Sequence, residues 1–144
     1  WLDIELALPF FLVCFILGII ISRNLTILSL GDETSTGLGV NGKVIKLLST
    51  IIVLVLSAIA VVIIGPVSYV GLMIPHIVRY IVGSDYRFVI PSCGLLGALF
   101  VTFVDFLARN IMPEIELPIG LIITLIGVPF FIFVSRKKTA EDAY

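Results

Sequence analysis

The chain reads as an all-α integral membrane protein, a helical bundle of five spans. Three observations carry that class. Of its 144 residues, 60% are hydrophobic and 13% charged, where a soluble domain averages about half and about a quarter. Mean hydropathy is +1.24. Apolar runs recur at the length a helix needs to cross a bilayer core of about 30 Å, roughly 20 residues. Helices are required because an open sheet edge finds no hydrogen-bond partner in lipid. A net charge of −1 leaves no basic surface for nucleic acid.

The chain opens WLDIELALPF, without Met or a charged n-region. That is not a signal peptide, and it reads as a segment of something longer. The first predicted span is Leu6–Ser22, ending at Arg23. The second is Val44–Ile64, the third Pro66–Val82, the fourth Phe88–Met112 and the fifth Leu117–Val134. Residues 139–144 form a polar tail.

The third span is unusual. Gly65 and Pro66 open it, Gly71 interrupts it, and Pro75 sits in its middle beside His76, the single histidine of the chain. Proline removes a backbone donor and clashes with the carbonyl four residues back, so a kinked or broken helix is expected here. Such breaks are tolerated in membranes where protein or a water-filled cavity covers the freed backbone groups, and in transporters they line the pathway. The plain alternative is a packing kink with His76 bonded to a neighbouring helix.

Basic residues give the orientation. Arg23, Lys43 and Lys46 flank the first loop, Arg79 and Arg87 the third, and Arg136, Lys137 and Lys138 follow the last span. Arg109 alone of the nine Lys and Arg residues lies elsewhere. Positive charge stays cytoplasmic, which puts the C-terminus inside and the N-terminus outside. Asp3, Glu5, Glu114 and Glu116 then face out.

The cytoplasmic loop LSLGDETSTGLGVNG, residues 28–42, carries helix punctuation. Asp32 and Glu33 follow Gly31, and Gly37 and Gly39 come after, as at a helix start and stop. A short helix over Asp32–Leu38 is expected, with Asn41 capping the next span. Leu28, Leu30, Leu38 and Val40 give the segment an apolar side. Helices that lie on lipid are rich in Lys and Arg, and none occurs between Arg23 and Lys43, so a protein partner is the better occupant.

The remaining polar residues are few. Asp105 and Arg109 stand four apart, on one helical face, and Gly94 with Ala98 forms a small-xxx-small pair suited to tight helix packing. Cys14 and Cys93 lie in apolar runs without metal or redox spacing. There is no GxxxxGK[ST] loop, no HExxH and no GxSxG, so energy for any pumping must come from another subunit.

Taken in order, LSLGDE…LGV, GPVSYVGLMIPHIVRYIVGSDYR, LLGA…D-x-x-x-R and ELPIGLIITLIGVPFF closely resemble the C-terminal half of the FecCD-type permeases. These are the membrane subunits of bacterial ABC importers for ferric siderophores, haem and cobalamin. The resemblance runs from Trp1 to Lys138. Ser68-Tyr69 departs from it, standing where the family often has a small or apolar residue followed by Phe. The resemblance implies half of a ten-span permease built from inverted repeats, in the bacterial cytoplasmic membrane.

It also implies roles. Gly31, Asp32, Glu33, Leu38 and Gly39 resemble the coupling segment that seats in the ATPase subunit. Arg109, with Glu114 and Glu116 in the adjoining loop, resembles the outer face that docks the substrate-binding protein. Gly65, Pro66, Gly71, Pro75 and His76 resemble the segment packed beside the translocation path. The implied partners are an ATP-binding cassette ATPase, an extracytoplasmic binding protein, a second permease copy and the lipid bilayer. No cofactor or metal is expected on this chain, with ATP used by the partner subunit, and ferric siderophore is the expected cargo. Two readings from other classes compete: an intramembrane enzyme using His76 with Asp105, and a stand-alone five-span channel.

Overall fold

The computed structural model describes residues 1–141 apart from Pro66, Ser68, Met112, Glu116 and Leu117. Its described elements are helices: α1 (Leu2–Ser29), α2 (Asp32–Gly37), α3 (Gly42–Ile64), α4 (Val70–Val82), α5 (Tyr86–Ile111) and α6 (Ile119–Glu141). Four of them, α1, α3, α5 and α6, are long and apolar enough to cross a membrane, and α4 is a shorter apolar helix. The chain divides into two compact units, Trp1–Gly65 with Val82–Ser92, and Pro66–Ile81 with Cys93–Tyr144.

The helices outrun the predicted spans at their polar ends. α1 continues past Arg23 to Ser29, and α6 continues past Val134 through Arg136, Lys137 and Lys138. The physical reason is that apolar length marks where lipid ends, whereas a helix ends only at a stop signal. Arg and Lys are good helix formers, and no Gly or Pro intervenes before Leu30 or after Pro129.

α4 departs in the other direction. The expected break at Pro75 is absent, since α4 runs through that proline unbroken. It begins at Val70, four residues later than predicted, because the chain is turned before it. Gly65 ends α3 at φ +89°, and Tyr69 holds φ +70°, a region that non-glycine residues seldom occupy. The Tyr69 carbonyl then accepts the first helical bonds, from Leu72 at 3.1 Å and Met73 at 2.8 Å.

Within the first unit, α1 packs on α3 and on α2, with Ile21, Ser22, Ser35 and Ile45 buried. α3 leaves from the end at which α1 stops, as Lys46 Nζ lies 3.3 Å from Asp32 Oδ1. The start of α5 belongs to the same end. The Tyr86 N–H donates to Thr26 Oγ1 at 3.0 Å, and Thr26 is in the last turn of α1. α3, with 23 residues or about 35 Å, leads away from that end. The chain is back there at Asp85.

The return between them runs through α4. α4 supplies 13 residues, about 20 Å. The connection from Gly65 to Tyr69 has chain enough for up to roughly 17 Å more. In the second unit the buried side chains include Met73, Ile74 and Val78 of α4, Val104 and Ala108 of α5, and Ile123 of α6.

Impermeant thiol labelling checks this path. With Cys14 and Cys93 replaced by alanine, cysteines at Ser84 and at Thr36 are expected to react from one and the same side of the membrane. Labelling from opposite sides, in intact cells against inverted vesicles, would mean that the 65–82 segment does not cross.

Candidate functional site

The 28–42 segment, expected to meet a protein partner, is held by two glycines. Gly31 precedes α2 at φ +118° and Gly39 follows it at φ +77°, conformations that a side chain strains and glycine adopts freely. At the far end the Gly39 N–H donates to the Thr36 carbonyl and the Val40 N–H to the Ser35 carbonyl, both at 3.0 Å. That pair of bonds is a Schellman stop. Ser35 is 1% exposed and its hydroxyl donates to the Asp32 carbonyl at 2.9 Å, so the one turn of α2 is anchored from below.

Asn41 precedes α3 as expected, but its side chain makes no cap bond. The backbone alone closes that end, with the Ile45 N–H on the Asn41 carbonyl at 3.2 Å. Against this frame the outward groups are Glu33, Leu30 and Leu38, the two leucines 67% and 62% exposed. Asp32 is engaged inside the segment by Lys46. Leu28 is half-buried and lies against the start of α3, since a Cβ placed on Gly42 would stand 3.0 Å from its Cδ1. The apolar side read from the sequence is thus split: Leu28 packs inward, and Leu30 and Leu38 face out.

In the second unit, Arg109 Nε donates to Asp105 Oδ2 at 3.0 Å. The arginine side chain is 79% exposed and the aspartate 34%. The pair expected from the i, i+4 spacing is formed, and an exposed pair of this kind contributes only about 0.3–0.5 kcal/mol, so it orients Arg109 more than it stabilises α5. Glu114 is exposed nearby in sequence. Glu116 lies outside the described residues, as does Pro66.

His76, Gly71 and Pro75 all lie on α4. His76 is exposed, and among the described residues it has no hydrogen-bond partner on a neighbouring helix. It lines an open groove of about 500 Å³ with Ile77, Tyr80, Phe130, Val134 and Lys138. Lys137 Nζ stands 5.5 Å from the centre of the Tyr80 ring, within cation–π range, so the C-terminal ends of α4 and α6 are neighbours. Gly94 and Ala98 are both exposed.

Sequence reasoning missed Tyr69 and Gly127. A Cβ built on Gly127 would stand 2.7 Å from Tyr69 Cβ and 3.1 Å from its Cγ, closer than real side chains approach. The Tyr69 ring then meets Phe131 with centroids 6.4 Å apart and planes tilted by 55°. The sequence signal was the tyrosine itself, the point at which GPVSYVGL departs from the family pattern. Gly127 carries no such mark inside an apolar run.

Comparison with known proteins gives one consistent result. The model of the FecCD transport family matches residues 1–137. The Fe(3+)-citrate import system permease protein YfmD of Bacillus subtilis is 40% identical over 95% of this chain and 41% of its own length. The iron(3+)-hydroxamate import permease FhuB of the same organism is 41% identical over 96% and 36%. The hemin transport system permease HmuU of Yersinia pestis is 35% identical over 98% and 42%. A solved inward-facing structure of a metal-chelate type ABC transporter superposes with a TM-score of 0.83 at 33% identity, covering 95% of this chain and 45% of that one. The chain therefore spans less than half the length of each of these relatives.

The Tyr69–Gly127 contact is open to a double-mutant cycle. Gly127→Ala is expected to destabilise the protein by about 1–3 kcal/mol, the usual cost of overpacking, read as a lower Tm in detergent. Tyr69→Gly removes both the opposing Cβ and the positive-φ strain. The double variant is expected to be more stable than the sum of the single effects predicts. Strict additivity would show that the two residues do not meet.

Proposed function

The chain belongs to the FecCD transport family, and from that membership we propose that it is the C-terminal half of the permease of an ATP-driven importer for ferric siderophores. The observation that carries the proposal is the coupling segment. A six-residue helix is held rigid by Gly31, Gly39 and buried Ser35, and it turns Leu30, Leu38 and Glu33 outward where a membrane protein has no lipid core to meet. A rigid, partly apolar projection of this kind fits a cleft on a soluble subunit. An ATP-binding cassette ATPase is the partner whose chemistry the chain itself lacks. ATP is bound and split there, and this chain holds no cofactor.

The cytoplasmic assignment of that end rests on charge. Arg23, Lys43, Lys46 and Arg87 gather at the end of the first unit that holds α2, as the positive-inside rule requires. Arg136, Lys137 and Lys138 after the last span support a cytoplasmic C-terminus by the same rule. Arg109 is then outside. Its planar guanidinium suits a bidentate bond to a carboxylate of an extracytoplasmic binding protein, with Asp105 steadying it. Gly65, Pro66, Gly71, Pro75 and His76 flank the translocation path, which a second permease copy completes. Two of the similar proteins are named for ferric citrate and ferric hydroxamate, which supports a ferric chelate as cargo ahead of the haem named for a third.

Reconstitution of the full-length permease with its ATPase and binding protein in proteoliposomes tests the assignment. Radio-iron delivered as a hydroxamate or citrate chelate is expected to accumulate only with ATP. Accumulation of haem or cobalamin alone would reassign the cargo, and ATP-independent flux would overturn the importer.

Leu38→Asp and Glu33→Lys test the coupling segment more cleanly than Asp32 variants, because Asp32 also pairs with Lys46. Each is expected to insert normally and to lose the stimulation of ATP hydrolysis by loaded binding protein. Normal stimulation would remove α2 from the ATPase interface.

Arg109→Glu tests docking. An exposed charge acts mainly on association, so affinity for the binding protein in nanodiscs is expected to fall by about ten-fold or less, with the slower on-rate shrinking as salt rises. A surface Glu→Arg reversal on the binding protein is expected to restore it. Unchanged affinity, or no restoring reversal, would leave Arg109 as a headgroup anchor.

A further inference from the structure

The turn between α4 and α5 is built onto one hydroxyl of α1. Thr26 Oγ1 accepts the Tyr86 N–H at 3.0 Å. Its own proton is shared between the Ser22 carbonyl at 3.0 Å and Asp85 Oδ1 at 3.1 Å. Asp85 in turn starts α5. Its Oδ1 accepts the Arg87 N–H at 3.1 Å, and its carbonyl accepts the N–H groups of Phe88 and Val89 at 3.1 and 3.0 Å. Thr26 and Asp85 are both half-buried. Ser22, one turn before Thr26, is 3% exposed, and Val89, one turn after Asp85, is 4%.

The clasp occupies a particular place. Thr26 lies in the last turn of α1, which ends at Ser29, and α2 begins at Asp32. Any displacement of α2 by a partner reaches α1 at this turn. The other side of the clasp is the first turn of α5, a helix of 26 residues that ends beyond Arg109. Holding that first turn fixes where α5 starts beside α1. A hydroxyl donates and accepts through one oxygen atom, which is how residue 26 serves the clasp.

We infer that Thr26 and Asp85 are positioning residues that transmit movement of the coupling segment through α1 into the first turn of α5. The inference rests on the coupling role of α2. The carboxylate serves two bonds at once, one to the hydroxyl and one to the cap. The clasp therefore opens as a unit when either partner is lost.

The test is the number of chelates imported per ATP hydrolysed by the full-length permease, assembled with its ATPase and binding protein in proteoliposomes. Thr26→Val keeps the side-chain shape and removes both hydrogen bonds. The ratio is expected to fall by about five-fold, the worth of one neutral hydrogen bond. Thr26→Ser, which keeps both bonds, is expected to stay within about two-fold of the parent, since only a methyl group is lost. Asp85→Ala is expected to match Thr26→Val, and the double variant to be no worse than either, as for residues acting in one unit. Asp85→Asn keeps an acceptor and the cap but removes the carboxylate charge that strengthens both bonds. It serves if the valine variant fails to fold, with a smaller but measurable fall in the ratio expected in a protein of normal Tm.

An unchanged ratio in folded Thr26→Val or Asp85→Asn overturns the inference. So does an equal loss in Thr26→Ser, or a fall in Tm with transport and hydrolysis declining in proportion. If Leu38→Asp uncouples the transporter and Thr26→Val does not, the clasp has failed and the coupling segment stands. If Leu38→Asp leaves coupling intact, the role of α2 itself has failed.

Discussion

Every feature of this chain answers to one constraint: a backbone N–H or C=O in hydrocarbon must find its partner inside the protein. The constraint makes the spans helical and confines irregular backbone to places that polar groups or packing can cover. It also explains where the informative residues lie. They collect at helix ends, where four N–H groups and four carbonyls are left over. The ends of α1, α2 and α5 in the first unit are each closed by named groups: the Leu30 and Gly31 N–H groups on the last carbonyls of α1, the Schellman bonds around Gly39, and the Thr26 hydroxyl with the Asp85 carboxylate at the start of α5.

The constraint leaves side chains far freer than backbone. Few residues of the chain are buried, and α5 shows Leu95, Leu99, Phe103 and Phe106 outward, each at least 60% exposed. Such faces are at home against lipid or against the other helices of a permease, and neither needs hydrogen bonds. The exposed Gly94 and Ala98 lie on the same helix. A chain that spans less than half of its relatives' length carries surfaces shaped for neighbours as well as for bilayer. Small residues are what allow close helix approach there.

Polar side chains are correspondingly sparse and specific. Asp105 spends its carboxylate on Arg109, and Asp32 on Lys46. Glu33, by contrast, has no partner among the described residues and stands beside two exposed leucines. The difference separates groups that hold the segment together from groups available to something else. Both aspartate pairs were open to reading from sequence only where spacing is local. The i, i+4 spacing announces Asp105–Arg109, whereas Asp32 and Lys46 are brought together by the turn at Gly39–Asn41.

The sequence by itself determined the class, the apolar runs, the short helix at Asp32 and the partner of Arg109. Each follows from composition or from spacing along one helix, which local geometry fixes. Its span limits were too short at Ser22 and Val134, because hydropathy senses lipid and not the stop signals of a helix. It expected a kinked or broken helix around Pro75, and α4 runs on through that proline, while Tyr69 at positive φ is set by its packing against Gly127 of α6. Only the tertiary structure decided that Thr26 meets Asp85 and that Tyr69 meets Gly127. These partners lie 59 and 58 residues apart, and no periodicity or propensity connects positions that touch only once the chain has returned across the membrane.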